Sequence, residues 1–433
     1  MLRASSSRKR VADCQTDDTS EKKAKRELHP LFSKESDKPS KPTVFKWIKG
    51  PNKTLLHGTN LNPKCSTKVA AFDLDGTIIL GSFWSKETEG QWKWWNPAVP
   101  SRLKALHDDG YSVVIVSNQA LNPAPMKAWE DKKIPSIAAA LQDVPFRIFG
   151  AKAKDQFRKP MPGMWYELEN IFGKDGIEID KSASFCVGDA AGREKDFASS
   201  DRKWADNVGI RFSTPEEYFL GEVGQKYTLQ GFNVSSMKKL PLYTPTNIPL
   251  IPTCSESTKP QTELILFVGY PCLGKSSFYR RHLEPAGYKH INQDTLRTRD
   301  KCVREVERAL LAGESCVVDN TNRNVQTRKY YLDVAQKLGI QVRCFIFAGN
   351  ADLAWHNNLY RAYNMPPSAP RIDPRRDLLP YSAIAGFTKD YEAPTTSEGF
   401  SEIKTVNWVF EGDAEAKRRW SMWLQLDDKI KKK

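Results

Sequence analysis

Val69-Ala-Ala-Phe-Asp-Leu-Asp-Gly-Thr77 runs four apolar residues straight into two carboxylates, a glycine and a hydroxyl. Residues i and i+2 of an extended chain share a face, so Asp73 and Asp75 point into one cleft while Leu74 turns to the core. Two carboxylates held that close repel unless a cation or a shared proton offsets their charge. Cleavage of a phosphate ester can use both, one attacking phosphorus and the other shuttling protons. Gly76 permits a tight turn after them, and Thr77 can fix it through a local hydrogen bond. Short apolar runs of this kind alternate with longer amphipathic stretches along the chain, which predicts an α/β fold with parallel sheets flanked by helices. In such sheets ligands bind beyond the carboxyl ends of the strands, so the residues that follow each apolar run carry the chemistry.

Two further runs in the first half end the same way. Tyr111 to Val116 leads into Ser117, Asn118 and Gln119, hydroxyl and amide groups suited to phosphate oxygens. Ser184 to Val187 leads into Gly188-Asp189-Ala-Ala-Gly-Arg193, and Asp189 is a candidate Mg²⁺ ligand. Between them, in Arg158-Lys159-Pro160, Lys159 can neutralise a transferred phosphoryl group.

In the second half, the apolar run Leu264 to Val268 precedes Gly269-Tyr-Pro-Cys-Leu-Gly274-Lys275-Ser276 and then a helical stretch. This is a phosphate-binding loop in the setting it requires: backbone amides at a helix N-terminus cradle a nucleoside triphosphate, Lys275 reaches its β and γ phosphates, and Ser276 holds Mg²⁺. Gly269, Gly274, Lys275, Ser276 and Ser277 are the expected ATP contacts. Asp294 closes the short segment His290 to Gln293 and can take the proton of an attacking hydroxyl, with Arg297 three residues on. The next strand, Cys316 to Val318, ends in Asp319-Asn320-Thr321-Asn322, a polar cluster suited to substrate or to metal-bound water. Trp355 to Arg361 reads as helix, from which Arg361 can close over the triphosphate.

The chain of 433 residues is long enough for two domains. Residues 1–42 are read as a disordered basic tail, 43–222 as the first catalytic domain, 223–260 as a Pro- and Thr-rich linker, and 261–433 as the second catalytic domain. Net charge is +14, and the tail, with eleven basic and seven acidic residues, holds only part of that excess. A basic folded body points to a polyanionic partner. In the tail Arg8, Lys9 and Arg10 precede Lys22, Lys23, Lys25 and Arg26, spaced as in a bipartite nuclear import signal, so the nucleus is the expected location. The eight cysteines contain no CxxC pair, which points away from zinc and from a disulfide framework. No long apolar stretch or signal sequence is present, so no membrane role is expected. Trp84, Trp92, Trp94 and Trp95 either stack on unpaired bases or, as the safer reading, pack as core or cap.

DLDGT, the strand end at Ser117, Lys159 and GDAAGR resemble, in order and spacing, the four motifs of the haloacid-dehalogenase superfamily of phosphatases. That resemblance implies Asp73 as the nucleophile forming a phosphoaspartate, Asp75 as general acid and base, and Ser117, Asn118 and Lys159 as phosphate binders. Asp73, Asp75 and Asp189 become the expected metal ligands of this site, and Ser276 that of the second. With a phosphate-binding loop behind it, and with TPEEYFL, QDTL, DNTN, HNN and FEGD in series, the chain closely resembles the polynucleotide kinase 3′-phosphatase family over residues 44 to 433.

The family resemblance implies removal of 3′-phosphates from DNA termini and ATP-dependent phosphorylation of 5′-hydroxyls. Asp294 is then the base for the 5′-hydroxyl, Arg297, Asp319, Asn320 and Thr321 bind the acceptor, and Arg361 is a lid arginine. The partners implied are DNA ends at nicks, gaps and breaks, ATP, and repair scaffold proteins or a ligase, with the enzyme a monomer and Mg²⁺ its cofactor. About 42 residues precede the first motif region, which is too few for the forkhead-associated domain of the larger animal members. Phage-type relatives place the kinase first, so the order here favours nuclear DNA repair. Arg297 stands at an offset where the phage type uses an arginine for a substrate phosphate. The rival readings are a metabolite phosphatase fused to a metabolite kinase, and a DNA-end scaffold with dead sites. The basic body weighs against the first, and the presence of Asp73, Lys275 and Asp294 against the second.

Overall fold

Each apolar run that precedes a site motif becomes a strand buried on both faces. In Val69–Phe72, Ala70 and Phe72 pack to one side with Ile115 and Ile148, while Val69 and Ala71 pack to the other with Val114, Val116 and Phe149. In Glu263–Val268, Leu264, Leu266 and Val268 face one core and Ile265 and Phe267 another. Continuous rather than alternating hydrophobicity is what a central parallel strand between two helical layers requires. The structure, a computed structural model, describes residues 45–50, 52–80, 92–119, 121–252, 261–368 and 377–426. The basic tail and Trp84 lie outside the described residues.

The first sheet comprises β1 (Phe45–Ile48), β2 (Leu55–Asn60), β3 (Val69–Phe72), β4 (Ser112–Asn118), β5 (Phe146–Ala151), β6 (Phe185–Val187) and β7 (Arg211–Ser213). Their order is β1-β2-β5-β4-β3-β6-β7. The five strands from β5 to β7 run parallel, and β2 and β1 add antiparallel edges. β4 extends two residues past the apolar run, so Ser117 and Asn118 are its last rungs, opposite Gly150 and Ala151. β6 starts one residue later than expected, because the Ser184 hydroxyl is engaged with Val69 N at 3.0 Å and Asp180 O at 2.7 Å. Phe72 of β3 pairs with Ile115 and Val187, which brings the ends of all three strands to one edge.

The second sheet comprises β8 (Tyr243–Thr244), β9 (Glu263–Val268), β10 (Lys289–Ile291), β11 (Cys316–Val318), β12 (Gln341–Phe347) and β13 (Glu402–Val406), in the order β10-β11-β9-β12-β13-β8. All pairs are parallel except β13 with β8. β8 comes from the stretch expected to be a linker. There Phe232, Val234, Met237, Leu242, Leu250 and Ile251 pack on the core of the second sheet, and the buried Lys404 ammonium bonds Ile248 O at 3.0 Å. The segment up to residue 252 is therefore a strap laid along the second sheet, because its apolar residues find a surface even without a period. The described residues, 45 to 426, cluster as one compact unit. Among the described residues, Cys65, Cys186, Cys272, Cys302, Cys316 and Cys344 are free thiols, and no helix is long and apolar enough to cross a membrane.

Two candidate active sites

At the edge of the first sheet the Lys159 ammonium is buried between two carboxylates, 2.6 Å from Asp73 Oδ1 and 2.7 Å from Asp201 Oδ1, and it also donates to Val116 O at 2.8 Å. Asp73 begins the turn after β3, with its backbone N–H bonded to Val187 O at 2.9 Å. Asp189, following β6, completes a trio: Asp73, Asp189 and Asp201 bring carboxylate oxygens within 4.8 Å of one another. Burial pushes the Asp73 carboxyl up to about 7, with Asp201 and Asp75 adding to the rise and Lys159 opposing it. Burial, then Asp73 and Asp201, push Asp189 up to about 8. Burial works against the Lys159 ammonium, but Asp201 and Asp73 outweigh it and hold its pKa above the ordinary value. Two of these three carboxylates share the Lys159 ammonium, and an all-oxygen donor set of this kind fits a hard divalent cation such as Mg²⁺. Gly76, at φ +87°, is required here, because a Cβ would stand 2.2 Å from Asp189 Oδ2.

Two sequence expectations change. Asp75 does not join the trio, because its carboxylate is bound by the Lys133 ammonium at 2.9 Å and by Gln119 Nε2 at 3.0 Å. Its side chain is therefore held apart from the three carboxylates that could hold a metal. Asn118 does not face the phosphate pocket either: its side chain donates to Lys159 O at 3.0 Å and accepts from Lys159 N at 2.8 Å, latching the lysine's own backbone. Ser117 stays in the pocket, buried, with Gln119 Nε2 bonded to its hydroxyl at 2.9 Å.

Sequence reading missed Asp201 and Lys133. Asp201 opens the helix Ser200–Val208, twelve residues beyond Asp189, and accepts from Ala190 N at 3.0 Å. Its signal was an acid in a helix's first turn shortly after a strand-end motif. Lys133 ends a helical stretch remote in sequence and carried none. Arg193 of GDAAGR and Glu216 of TPEEYFL form an ion pair at 2.7 Å, which joins those two motifs structurally. Trp92, Trp94 and Trp95 pack against the core, with Trp92 Nε1 donating to Ser136 Oγ at 2.7 Å, so these three tryptophans serve as cap packing.

In the second sheet the phosphate loop follows β9 and opens the short helix Lys275–Phe278. Gly274 adopts φ +76°, a conformation that favours glycine. Lys275 folds back on the loop, its ammonium 2.6 Å from Tyr270 O and 3.2 Å from Gly269 O. Burial lowers its pKa, while Asp319, Cys272 and Asp294 pull the other way. Ser277 is exposed in the first turn of that helix. Ser276 Oγ donates to Asp319 Oδ2 at 2.5 Å, and His290 Nε2 lies 3.0 Å from the same oxygen. Burial works against ionisation of Asp319, but His290, Lys275 and Ser276 together hold its carboxyl below the usual range. Asp319 was expected to bind the acceptor or a metal-bound water; its bond to the loop hydroxyl sets it beside the phosphate loop, where with Ser276 it could hold Mg²⁺.

Asn292 caps the helix Gln293–Leu296 by accepting from Thr295 N, which presents Asp294 on an exposed first turn. Arg297 ends it at φ +74°, with Thr298 N bonded to Leu296 O at 2.9 Å, a strained turn of the kind that collects at functional sites. Asn320 has a different task from the expected acceptor contact: its Oδ1 accepts from Gln293 N at 2.9 Å and its Nδ2 donates to Tyr331, tying the Asp294 helix to β11. Thr321 contributes a backbone carbonyl to Gly269 N at 3.2 Å. His356, Asn357 and Asn358 are framework: Asn357 bridges Cys272 O of the loop and the Trp420 indole, while His356 bonds Trp420 O. Arg361, one turn beyond Asn357, donates to Asn358 Oδ1 at 3.2 Å, and its Nε is buried without a protein partner, as fits a side chain that receives an anion.

Comparisons with known proteins match both halves of the chain. The polynucleotide kinase 3 phosphatase family model matches residues 68–219, and an AAA domain model matches residues 264–305. The bifunctional polynucleotide phosphatase/kinase of Schizosaccharomyces pombe is 37% identical over 368 residues, covering 84% of each chain. A putative bifunctional polynucleotide phosphatase/kinase of Acanthamoeba polyphaga mimivirus is 31% identical over 85% of this chain and 91% of its own. A polynucleotide 3′-phosphatase of Arabidopsis thaliana is 35% identical over 36% of this chain and 24% of its own. With identity extending through both sheets of the fission yeast protein's counterpart, the chain belongs to the bifunctional polynucleotide phosphatase/kinase family.

Proposed function

We propose that the first site removes phosphate from 3′ termini of DNA and that the second transfers the γ-phosphoryl group of ATP to 5′-hydroxyl termini, making a strand break ligatable. The observation that carries this is the Lys159 ammonium held 2.6 Å from Asp73 beside Asp189, in the same chain as a complete phosphate-binding loop.

In the first reaction an Asp73 oxygen attacks phosphorus, the bond from phosphorus to O3′ breaks, and Asp75 gives O3′ its proton. Lys159 and Ser117 bind the phosphoryl oxygens. Water then attacks the phosphoaspartate while Asp75 takes its proton, and inorganic phosphate leaves. In the second, Asp294 takes the proton of the 5′-hydroxyl as that oxygen attacks the γ phosphorus, and ADP leaves with its β-phosphate held by Lys275 and the loop amides. Arg361 closes on the triphosphate and Arg297 on the acceptor. Asp73, Asp189 and Asp201 in the first site, and Ser276 with Asp319 in the second, would hold Mg²⁺, which when bound offsets charge on the phosphoryl oxygens.

The basic excess supports a nucleic-acid substrate, and the paired basic clusters at Arg8–Arg10 and Lys22–Arg26 support a nuclear location, with repair scaffolds or a ligase as partners and a monomer as the working form. The test is a nicked duplex bearing 3′-phosphate and 5′-hydroxyl: phosphate release without ATP, and both end conversions with it. Absence of either conversion from folded, Mg²⁺-supplied protein would reject the reading.

A further inference from the structure

Lys159 works only if its ammonium is held on the transferring phosphoryl group, and the loop that carries it is held from two sides. From the pocket side it is latched by Asn118. Behind it, Asn207 Nδ2 donates to Pro160 O at 2.8 Å and to Trp423 O at 2.7 Å, while Asn207 Oδ1 accepts from Trp423 N at 2.8 Å. Both ends of one buried amide are thus engaged with the segment that follows the helix Ala414–Trp420 of the chain's second half. The next loop residue, Met161, has no exposed surface and packs in a small apolar cluster with Leu359, Met422 and Leu424. Leu359 ends the helix Ala351–Leu359, whose Asn357 holds the phosphate loop.

We propose that the segment Met422–Leu424, which lies beyond the kinase sheet in the chain, is a positioning element of the phosphatase: through Asn207 and Met161 it fixes the loop that bears Lys159. The inference rests on the two-site reading above and adds to it that the phosphatase site is completed by a piece of the kinase half. Asn207 bonds Pro160 and Trp423 and none of Asp73, Asp189, Asp201 or the Lys159 ammonium; it acts through Pro160. Loss of its bonds lets the lysine drift, and a displacement of about 1 Å at a reacting group costs up to about a hundredfold in rate.

The test compares full-length Asn207→Ala, Leu424→Ala and wild type for 3′-phosphate release and for ATP-dependent 5′ phosphorylation on the same preparations. Expected is a fall of about tenfold or more in phosphatase kcat, with KM and kinase kcat of Asn207→Ala each within about twofold of wild type. Because Leu424 is expected to act through Met161, adding Met161→Ala to Leu424→Ala should lower phosphatase kcat by less than the product of the two single losses. Phosphatase kcat within about twofold of wild type in both single variants overturns the proposal, as do equal losses of both activities in both, which mean that the segment only holds the fold. A small aryl phosphate assayed alongside reads the first site without DNA: hydrolysis of it with no 3′-phosphate release indicts the substrate reading, whereas unchanged hydrolysis of it by the variants indicts the positioning role.

Discussion

The Lys133 ammonium lies 2.9 Å from one oxygen of Asp75, and Gln119 Nε2 lies 3.0 Å from the other. The lysine comes from the helical stretch Trp129–Lys133, whose Trp129 is buried and packs 5.8 Å from Trp47. Asp75 is thereby kept apart from the trio of Asp73, Asp189 and Asp201, although it sits two residues from the first. This separation allows two adjacent acids to hold different roles, nucleophile and proton carrier. Lys133→Ala should lower phosphatase kcat about tenfold to a hundredfold, because general acid–base catalysis is worth about two to four powers of ten and depends on orientation. Kinase kcat measured on the same preparation serves as the control. An unchanged phosphatase rate would mean that Asp75 needs no such support.

The two sites lie on separate sheets, so their losses should separate. Asp73→Asn should reduce 3′-phosphate release at least about a thousandfold and leave 5′ phosphorylation intact, and Lys275→Ala should do the reverse. The measurement is end analysis of one nicked oligonucleotide with both variants. Loss of both activities from either change would contradict the two-site arrangement.

The raised carboxyls of the first site set a pH dependence of stability. Asp73 and Asp189 rise from an ordinary 3.8 to about 7 and about 8, so the folded, metal-free protein retains protons that the unfolded chain has already lost. Their contribution favours folding at low pH and is lost as pH climbs through the raised values. With chelator present, the Asp73–Asp189 contribution to the melting temperature should decline from about pH 5 to about pH 8, and Mg²⁺ should restore more at the upper end than at the lower, with protons released on binding. Thermal melts of wild type and Asp73→Asn with and without Mg²⁺ check this. Equal stabilisation by Mg²⁺ at both pH values would show that the trio does not bind it.

Strand ends were legible because continuous apolar runs and the residues that follow them are local signals. Asp73, Ser117, Asp189 and the phosphate loop were all found this way, and the structure brings them to their sheet edges. What escaped depends on packing between distant segments. Asp201 and Lys133 reach the site from helices 128 and 60 positions beyond Asp73 in the sequence; an acid in a helix's first turn is the one local mark of Asp201, and nothing local marks Lys133. Asn118 and Asn320 carry the residue type expected of a ligand contact, but Asn118 spends its amide on the Lys159 backbone and Asn320 on Gln293 N and the Tyr331 hydroxyl. The stretch taken for a linker lacks a period, yet its scattered apolar residues cover the second sheet.

The second half rests on a buried ion pair that the chemistry does not use. Arg328 has no exposed surface; its Nε and Nη2 meet both oxygens of Glu398 at 2.8 and 2.7 Å, and its Nη1 bonds Glu392 O at 2.9 Å. Arg328→Ala leaves a buried carboxylate without its partner and should cost about 3–5 kcal/mol. Replacing both partners, as Arg328→Met with Glu398→Leu, should cost clearly less, because neither charge is then stranded. Denaturant unfolding of the two variants decides; equal losses would mean that packing volume, not charge, is what the pair contributes.

Asp319 connects the loop hydroxyl and the lysine of the kinase site. Its carboxylate takes the Ser276 hydroxyl at 2.5 Å, and its charge opposes the burial that lowers Lys275. Asp319→Asn keeps the shape and removes the charge, so two effects should appear together. Kinase kcat should fall about a hundredfold, with a higher Mg²⁺ requirement, because Ser276 alone remains to hold the ion. The Lys275 ammonium should also lose its proton at lower pH, which moves the alkaline limb of the kinase pH–rate profile downward, while the phosphatase profile stays where it was. If the rate fell but neither the Mg²⁺ requirement nor the alkaline limb moved, Asp319 would have to act on the acceptor, as the sequence first suggested, and not on the phosphate loop.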